Sequence, residues 1–296
     1  MSGAAAVGSR AATTRAAVVA APGRVEISRT ELPELGPGEA LVRIEGCGVC
    51  ASSLPLWEGR HWFAYPLPAG APGHEPWGTV EAGPDELVGR RVAFLSERGF
   101  AERAIVAAEH VVPLPPELDG LPFPGEALAC AGLVLRRAAV RPGQAVAVLG
   151  LGFLGSAIAS LLGADVTRVR RDTPLDGLEE RFDCVIECAG TQAALDAASR
   201  LVATRGRLVI AGYHQDGPRT VDLRSWNWRG LEVVNAHERD AAAYVGAMRE
   251  AAELAATGAL DLEALVTHRF PLERLGEAFE AARTRPAGFV KAWVEP

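Results

Sequence analysis

The sequence predicts a two-part α/β chain: a small, mostly antiparallel β unit followed by a doubly wound parallel sheet. Three observations predict it. From Ala16 to about Pro115, short β-type runs are separated at close intervals by Gly and Pro. From about Leu128 helical and strand-like stretches alternate, which is the mark of parallel strands joined by helical crossovers. Within that second part, Ala145 to Ala164 reads AVAVLGLGFLGSAIASLLGA, an uncharged run carrying Gly150, Gly152, Gly155 and Gly163.

In the first part, AAVVAA and VEIS are strand-like, and ELPELGPGEA is a loop. ALVRIEGCG, GTVEAG, GRRVAFL and AERAIVAAEHVVPLP follow as further strands, and LPPELDGLPFPGEA is the connector. In the second part, ALACAGLVLRRAAV is helical and ends at the turn RPG. Then come strand AVAVLG, helix FLGSAIASLLGA, strand VTRVRR, strand CVIECAG and helix TQAALDAASRLVAT. Strands RLVIAGY and LEVVNA, and helix DAAAYVGAMREAAELAATG, complete the alternation. RFPLERLGEAFEAA and FVKAWVEP supply one more helix and a closing strand. These divisions predict a tail over 1–14, a catalytic β domain over 15–125 with 262–296, and a cofactor domain over 126–261.

A chain of 296 residues, 49% apolar and 23% charged, has the composition of a globular protein with a sizeable core. Its net charge of -7 and lack of any Lys/Arg block exclude nucleic acid as a general partner. Five scattered cysteines, Cys47, Cys50, Cys130, Cys184 and Cys188, are no disulfide framework; they suit a reducing compartment, and the cytoplasm is the expected location. The Ala-rich N-terminus fails as a signal peptide because Arg10 and Arg15 interrupt it, so a flexible tail is expected there, with a transit peptide as the alternative. The uncharged run is long enough to span a bilayer, but its glycines make a poor isolated helix. No second apolar span exists, and no membrane partner is expected.

The run contains G-x-G-x-x-G at Gly150, Gly152 and Gly155, preceded by a strand and opening a helix that begins with Phe153 and Leu154. In that setting the first glycine permits a tight turn, the second lets backbone approach a pyrophosphate, and the third packs helix on strand. The helix N-terminus adds free N–H groups and the positive end of its dipole. Asp172 stands 22 residues beyond Gly150, at the end of the next strand, where it can bond ribose hydroxyls. Arg170 and Arg171 beside it favour a 2'-phosphate instead, which leaves NAD and NADP both open.

A second constellation lies in the β part. Cys50, His74, Glu75 and Glu126 are of the residue types that hold a catalytic zinc with one open position. Such a zinc polarises an alcohol oxygen as a Lewis acid, and Ser52 can pass the alcohol proton towards solvent. On spacing alone, Cys47 reads as a core residue, His74–Glu75 as a surface pair and Glu126 as a helix cap.

These residues resemble the medium-chain dehydrogenase/reductase superfamily, in its zinc-dependent alcohol and polyol dehydrogenase branch. GPGEALVRIEGCGVCASSLPLWEG is similar to that family's opening segment and GHEPWGTVEAG to its GHE zinc signature. GEALACA resembles its GEPLxCA segment and VRPGQAVAVLGLGFLG its cofactor loop. The resemblance implies a GroES-like β domain with a Rossmann domain, one catalytic Zn²⁺, NAD or NADP, a small-molecule alcohol or carbonyl substrate, and a homodimer formed at the Rossmann sheet edge. It implies zinc-site positions at Cys50, His74 and Glu75, a further ligand at Glu126, and a proton-relay hydroxyl at Ser52. Gly190, Gly212 and Tyr213 then hold the nicotinamide half, and Trp57, Trp62, Phe63 and Trp77 lie near the mouth of the substrate cleft.

Three departures stand out. The family's four-cysteine structural zinc lobe is absent from VGRRVAFLSERGFAERA. Ser53 replaces the acid that orients the zinc-bound histidine, a kind of loss that costs about 10–100-fold in affinity or activity. Only TPLDGLEERFD separates Asp172 from the strand CVIECAG, so the strand numbered 3 in the order 3-2-1-4-5-6, an edge strand, is missing. The expectation is a hydride-transferring oxidoreductase of a polyol-like or secondary alcohol. A zinc-free or non-redox enzyme with weak or no dinucleotide binding, and a catalytically inactive binding protein, remain as alternatives.

Overall fold

The computed structural model describes residues 13–296. Its strands are β1 (Thr13–Ala21), β2 (Arg24–Glu31), β3 (Glu39–Val49), β4 (Glu75–Ala82), β5 (Arg91–Phe94), β6 (Arg103–Ala107) and β7 (Val111–Pro113). They continue with β8 (Val146–Leu149), β9 (Thr167–Val169), β10 (Phe182–Glu187), β11 (Val202–Ile210), β12 (Glu232–Asn235), β13 (His268–Pro271) and β14 (Ala292–Glu295). The helices are α1 (Leu54–Trp57), α2 (Gly125–Ala138), α3 (Phe153–Leu162), α4 (Gln192–Leu201), α5 (Leu223–Arg229), α6 (Ala241–Ala256), α7 (Leu262–Leu265) and α8 (Leu275–Thr284).

The β part is one sheet in the order β13-β14-β3-β4-β5-β7, with β6 also on β3 and a separate β1–β2 hairpin. All its pairings are antiparallel except β13 with β14. The last two strands come from the C-terminus, so the chain returns to this sheet after building the other one.

The second sheet is parallel, in the order β12-β11-β10-β8-β9. It has five strands, and residues 170–181 pass from β9 to β10 through turns alone. The expected loss of the edge strand is therefore realised, and an edge can be lost without unpairing the rest. Alternation explains why its strands are so apolar. Val146 and Val148 of β8 join the core shared with α2, α3 and α6, while Ala147 and Leu149 face α4 on the opposite side. That burial on both faces accounts for the missing charges of the Ala145–Ala164 run.

Several features differ from the sequence expectation. Of the tail expected over 1–14, residues 1–12 lie outside the described residues, while Thr13 and Thr14 already pair with Glu31 and Thr30 in β1. Thr14 is buried and its hydroxyl accepts from Arg103 N at 3.0 Å, so this segment is held. The strand expected to end at Asp172 stops at Val169, because Arg170 and Thr173 close a turn through Thr173 N to Arg170 O at 3.2 Å. The helix expected through Thr204 stops at Leu201, where Val202 turns extended and begins β11. Helix α5 was not expected; Asp222 caps it by accepting from Ser225 N at 2.9 Å.

Candidate active site

Strand pairing assembles the donor residues. β3 and β4 run antiparallel with Gly48 opposite Glu75, so Cys50, just past β3, meets His74, just before β4. Gly48 leaves room for the Glu75 carboxylate: a Cβ there would stand 1.9 Å from Glu75 Oε2 and displace it. Ligand atoms of Cys50, His74 and Glu75 lie within 4.8 Å of one another. Glu75 is fully buried and His74 and Cys50 are half-buried.

The histidine's orientation follows from its partner. His74 Nδ1 lies 2.9 Å from the Pro72 carbonyl oxygen, which can only accept, so Nδ1 carries the proton and Nε2 is left to coordinate. The expectation that Ser53 leaves the ring without an orienting partner is thereby corrected. Backbone supplies what the missing acid would have done, and Ser53 itself is packed inside the protein. The Ser52 hydroxyl donates to Cys50 Sγ at 3.2 Å, which places it at the edge of the donor cluster.

Glu126, at the start of α2, is not one of the three tightly grouped donors. Burial lifts its carboxyl to about 6 against the attraction of His74, and Cys130 Sγ approaches it at 3.4 Å. Burial alone would lower His74, but the charge and hydrogen bond of Cys50, then Glu75 and Glu126, push it up to about 10.

Lys291 was not anticipated as part of this site. It is the only lysine in the chain, every other basic side chain being Arg, and it is 4% exposed. Pairing of Ala292 with Val49 sets it beside Cys50. Its Nζ lies 2.8 and 2.7 Å from the two carboxylate oxygens of Glu75, and 4.5 Å from the centroid of Phe153. Burial would depress this ammonium; Glu75, then Cys50, hold it above its usual value. The sequence marks it as the single lysine, just ahead of the closing strand, but nothing near it in the chain says which group it meets.

The sulfur, nitrogen and oxygen donors suit zinc. Glu75 Oε2, buried and close to Lys291, has no well-directed hydrogen-bond donor among the described residues and so keeps a lone pair for a cation. The residues present therefore fit a metal.

The glycine loop has the shape expected. Gly150 adopts φ +86°, and a Cβ on Gly155 would meet Gly150 O at 2.1 Å, which is why helix α3 can sit on β8. No side chain caps α3. Asp172 is exposed in the turn beyond β9 rather than at a strand end. Gly190 and Gly212 abut each other after β10 and β11, a Cβ on Gly212 falling 2.2 Å from Gly190 N, and Tyr213 is 66% exposed beside them.

Buried Glu187 ties these two loops together. Its Oε1 accepts from Ala189 N at 2.6 Å and Gly190 N at 2.7 Å, and its Oε2 meets His214 Nε2 at 3.0 Å. Arg219 Nε donates to His214 Nδ1 at 2.8 Å, so His214 is the neutral Nε2–H tautomer, donating to Glu187.

Of the aromatics expected near the cleft, two are packing residues. Trp57 stacks on Phe279 at 5.2 Å and bonds Glu280, and Trp77 is buried against Trp293. Trp62 is 53% exposed beside Phe63.

The pattern of the alcohol dehydrogenase GroES-like domain matches residues 36–116, and that of the zinc-binding dehydrogenase matches residues 162–287. The chain belongs to the medium-chain dehydrogenase/reductase superfamily. Sorbitol dehydrogenase of Rattus norvegicus is 27% identical, over 90% of this chain and 92% of that protein. In structure, L-idonate 5-dehydrogenase of Escherichia coli K-12 has a TM-score of 0.82 at 19% identity, over 97% of this chain and 99% of its own. A zinc-binding dehydrogenase of Sinorhizobium meliloti 1021 bound to NADP scores 0.79 at 23%, over 96% and 100%. In this chain the parallel sheet has five strands and the site histidine is oriented by a backbone carbonyl.

Proposed function

We propose that the protein is an alcohol or polyol dehydrogenase/reductase, moving hydride between NAD or NADP and a polyol-like or secondary alcohol and its carbonyl partner. One observation carries this reading. The Cys50–His74–Glu75 cluster and the first residue of the glycine-loop helix, Phe153, are spanned by a single side chain, Lys291. A metal site and a phosphate cradle that close together serve one substrate.

Cys50, His74 and Glu75 would hold Zn²⁺, with Glu126 as a nearby further carboxylate. When bound, Zn²⁺ supplies Lewis-acid polarisation of the alcohol or carbonyl oxygen, and the nicotinamide supplies the hydride acceptor or donor. Lys291 neutralises Glu75 and keeps its carboxylate in place. Ser52 moves the substrate's hydroxyl proton away from the cluster. Gly150, Gly152, Phe153, Leu154 and Gly155 offer backbone to the pyrophosphate, while Gly190, Gly212 and Tyr213 hold the nicotinamide half. Asp172, in the exposed turn beyond β9, is left as the carboxylate on that side for the adenosine ribose, a weaker placement than a strand end.

The proposed division into residues 15–125 with 262–296 and 126–261 is supported by the return of β13 and β14 to the antiparallel sheet. A cytoplasmic location is supported by five unpaired cysteines; no helix among the described residues is long and apolar enough to cross a membrane.

Zinc analysis of the purified protein, together with NADH and NADPH titrations and a panel of polyols and secondary alcohols, tests the reading. About one zinc per chain, and activity lost on chelation and restored by Zn²⁺, is the expected result. Full activity with zinc near zero would favour a zinc-free reductase, a reading supported by Lys291 already neutralising Glu75. A protein that binds neither cofactor would leave the binding-protein alternative.

A homodimer through the exposed edge of β12 is also proposed. β12 ends the parallel sheet, and near it Trp228 is 90%, Leu223 67% and Val233 36% exposed. Apolar side chains beside an open strand edge suit a self-complementary contact. Trp228→Glu is expected to shift the protein from dimer towards monomer in light scattering at micromolar concentration; a monomeric parent protein would refute the contact.

A further inference from the structure

Arg285 lies outside every motif described above, yet its guanidinium rests on the glycine loop. A Cβ on Gly152 would meet Arg285 Nη2 at 2.9 Å and Nη1 at 3.4 Å, and among the described residues no other comes as near to that face. Arg285 follows α8, a helix packed on the antiparallel sheet, so its side chain reaches across to the other sheet's phosphate turn. It takes a left-handed backbone, φ +51°, which directs the chain out of α8. The side chain is exposed and, among the described residues, no carboxylate pairs with it. Its neighbour is Phe289, with Cζ 6.0 Å from the ring centroid.

An arginine with a free charge, facing the uncapped N-terminus of α3, has no structural partner there. Two positive features opposed across a glycine face are mutually repulsive until an anion comes between them. On the far side of the loop, the sheet has lost the strand that would flank the adenosine, and Asp172 has slipped into an exposed turn.

We propose that Arg285 is a pyrophosphate-binding residue of this chain, clamping the cofactor from the antiparallel-sheet side and compensating for the shortened adenosine side. The proposal rests on the dinucleotide reading given above. Planar, forked donors match phosphate oxygens two at a time, and such bonds are among the stronger ones a protein makes. Cofactor binding then bridges the two sheets, and more of the affinity resides in the phosphates than in the adenosine.

Calorimetric titration with NADH and with ADP-ribose, which carries the pyrophosphate without nicotinamide, tests this on the zinc-loaded protein. Arg285→Gln keeps a polar, hydrogen-bonding side chain and the backbone demand of the position but shortens it and removes the charge. It is expected to weaken both ligands to a similar degree, about 10–100-fold, and to flatten the salt dependence of binding. Arg285→Lys is expected to recover part of the loss. Binding of both ligands by the Gln variant within twofold of the parent protein would overturn the proposal while leaving the dehydrogenase reading intact. A parent protein that binds neither NADH, NADPH nor ADP-ribose would overturn both.

Discussion

His74→Ala is expected to leave the purified protein with little or no zinc and to lower kcat/KM at least about 10³-fold. The ring supplies the one nitrogen donor of the cluster, and Pro72 holds it with Nε2 free to coordinate. Lewis-acid assistance is worth several kcal/mol of transition-state stabilisation, and each 1.36 kcal/mol is about tenfold in rate. The effect should fall on kcat more than on cofactor affinity, because His74 takes no part in the glycine loop. Zinc analysis with NADH titration separates the two. A variant that keeps stoichiometric zinc, or one that loses zinc and stays active, would refute the assigned role.

Lys291→Met is expected to destabilise the zinc-free protein by about 3–5 kcal/mol, because it strands a carboxylate that is fully buried. The cost belongs to the unpaired charge rather than to the lost ammonium. Pairing the change with Glu75→Gln should therefore recover much of it. Urea unfolding of chelator-treated protein measures both variants, and the coupling between them is the test. A single variant within about 1 kcal/mol of the parent would mean that Glu75 finds water or another donor. With Zn²⁺ present the single variant should regain part of the loss, since a cation then faces the same carboxylate.

Much of this architecture was readable from residue order. The glycines of GLGFLG state their own geometry: Gly150 needs a positive φ and Gly155 a side chain no larger than hydrogen. The shortness of 173–183 made the loss of an edge strand a matter of counting, and the five-stranded sheet bears it out. Cys50, His74 and Glu75 stand out by residue type and resemblance, and antiparallel pairing groups them. Glu126 stands out in the same way, but α2 keeps it outside the tight group.

Other features had no local signature. Ser53 read as a missing partner for His74, because a carbonyl such as that of Pro72 is present at every residue and carries no sequence signal. Lys291 lies 216 residues from Glu75, and Arg285 is remote from Gly152; proximity of that kind is created only when the last strand and α8 return to the first sheet. Trp57 and Trp77 could be placed at a cleft or in a core by composition alone, and the stacking of Trp57 on Phe279 and the tilted packing of Trp77 against Trp293 decided it.

By itself, then, the sequence determined the period and punctuation of each element, the phosphate turn and the donor types, because these depend on backbone sterics and side-chain chemistry within a few residues. Which charges neutralise one another, what orients His74 and what faces Gly152 follow from the packing of the two sheets and their helices. Those outcomes depend on distances between segments far apart in the chain, and burial makes such distances energetically decisive.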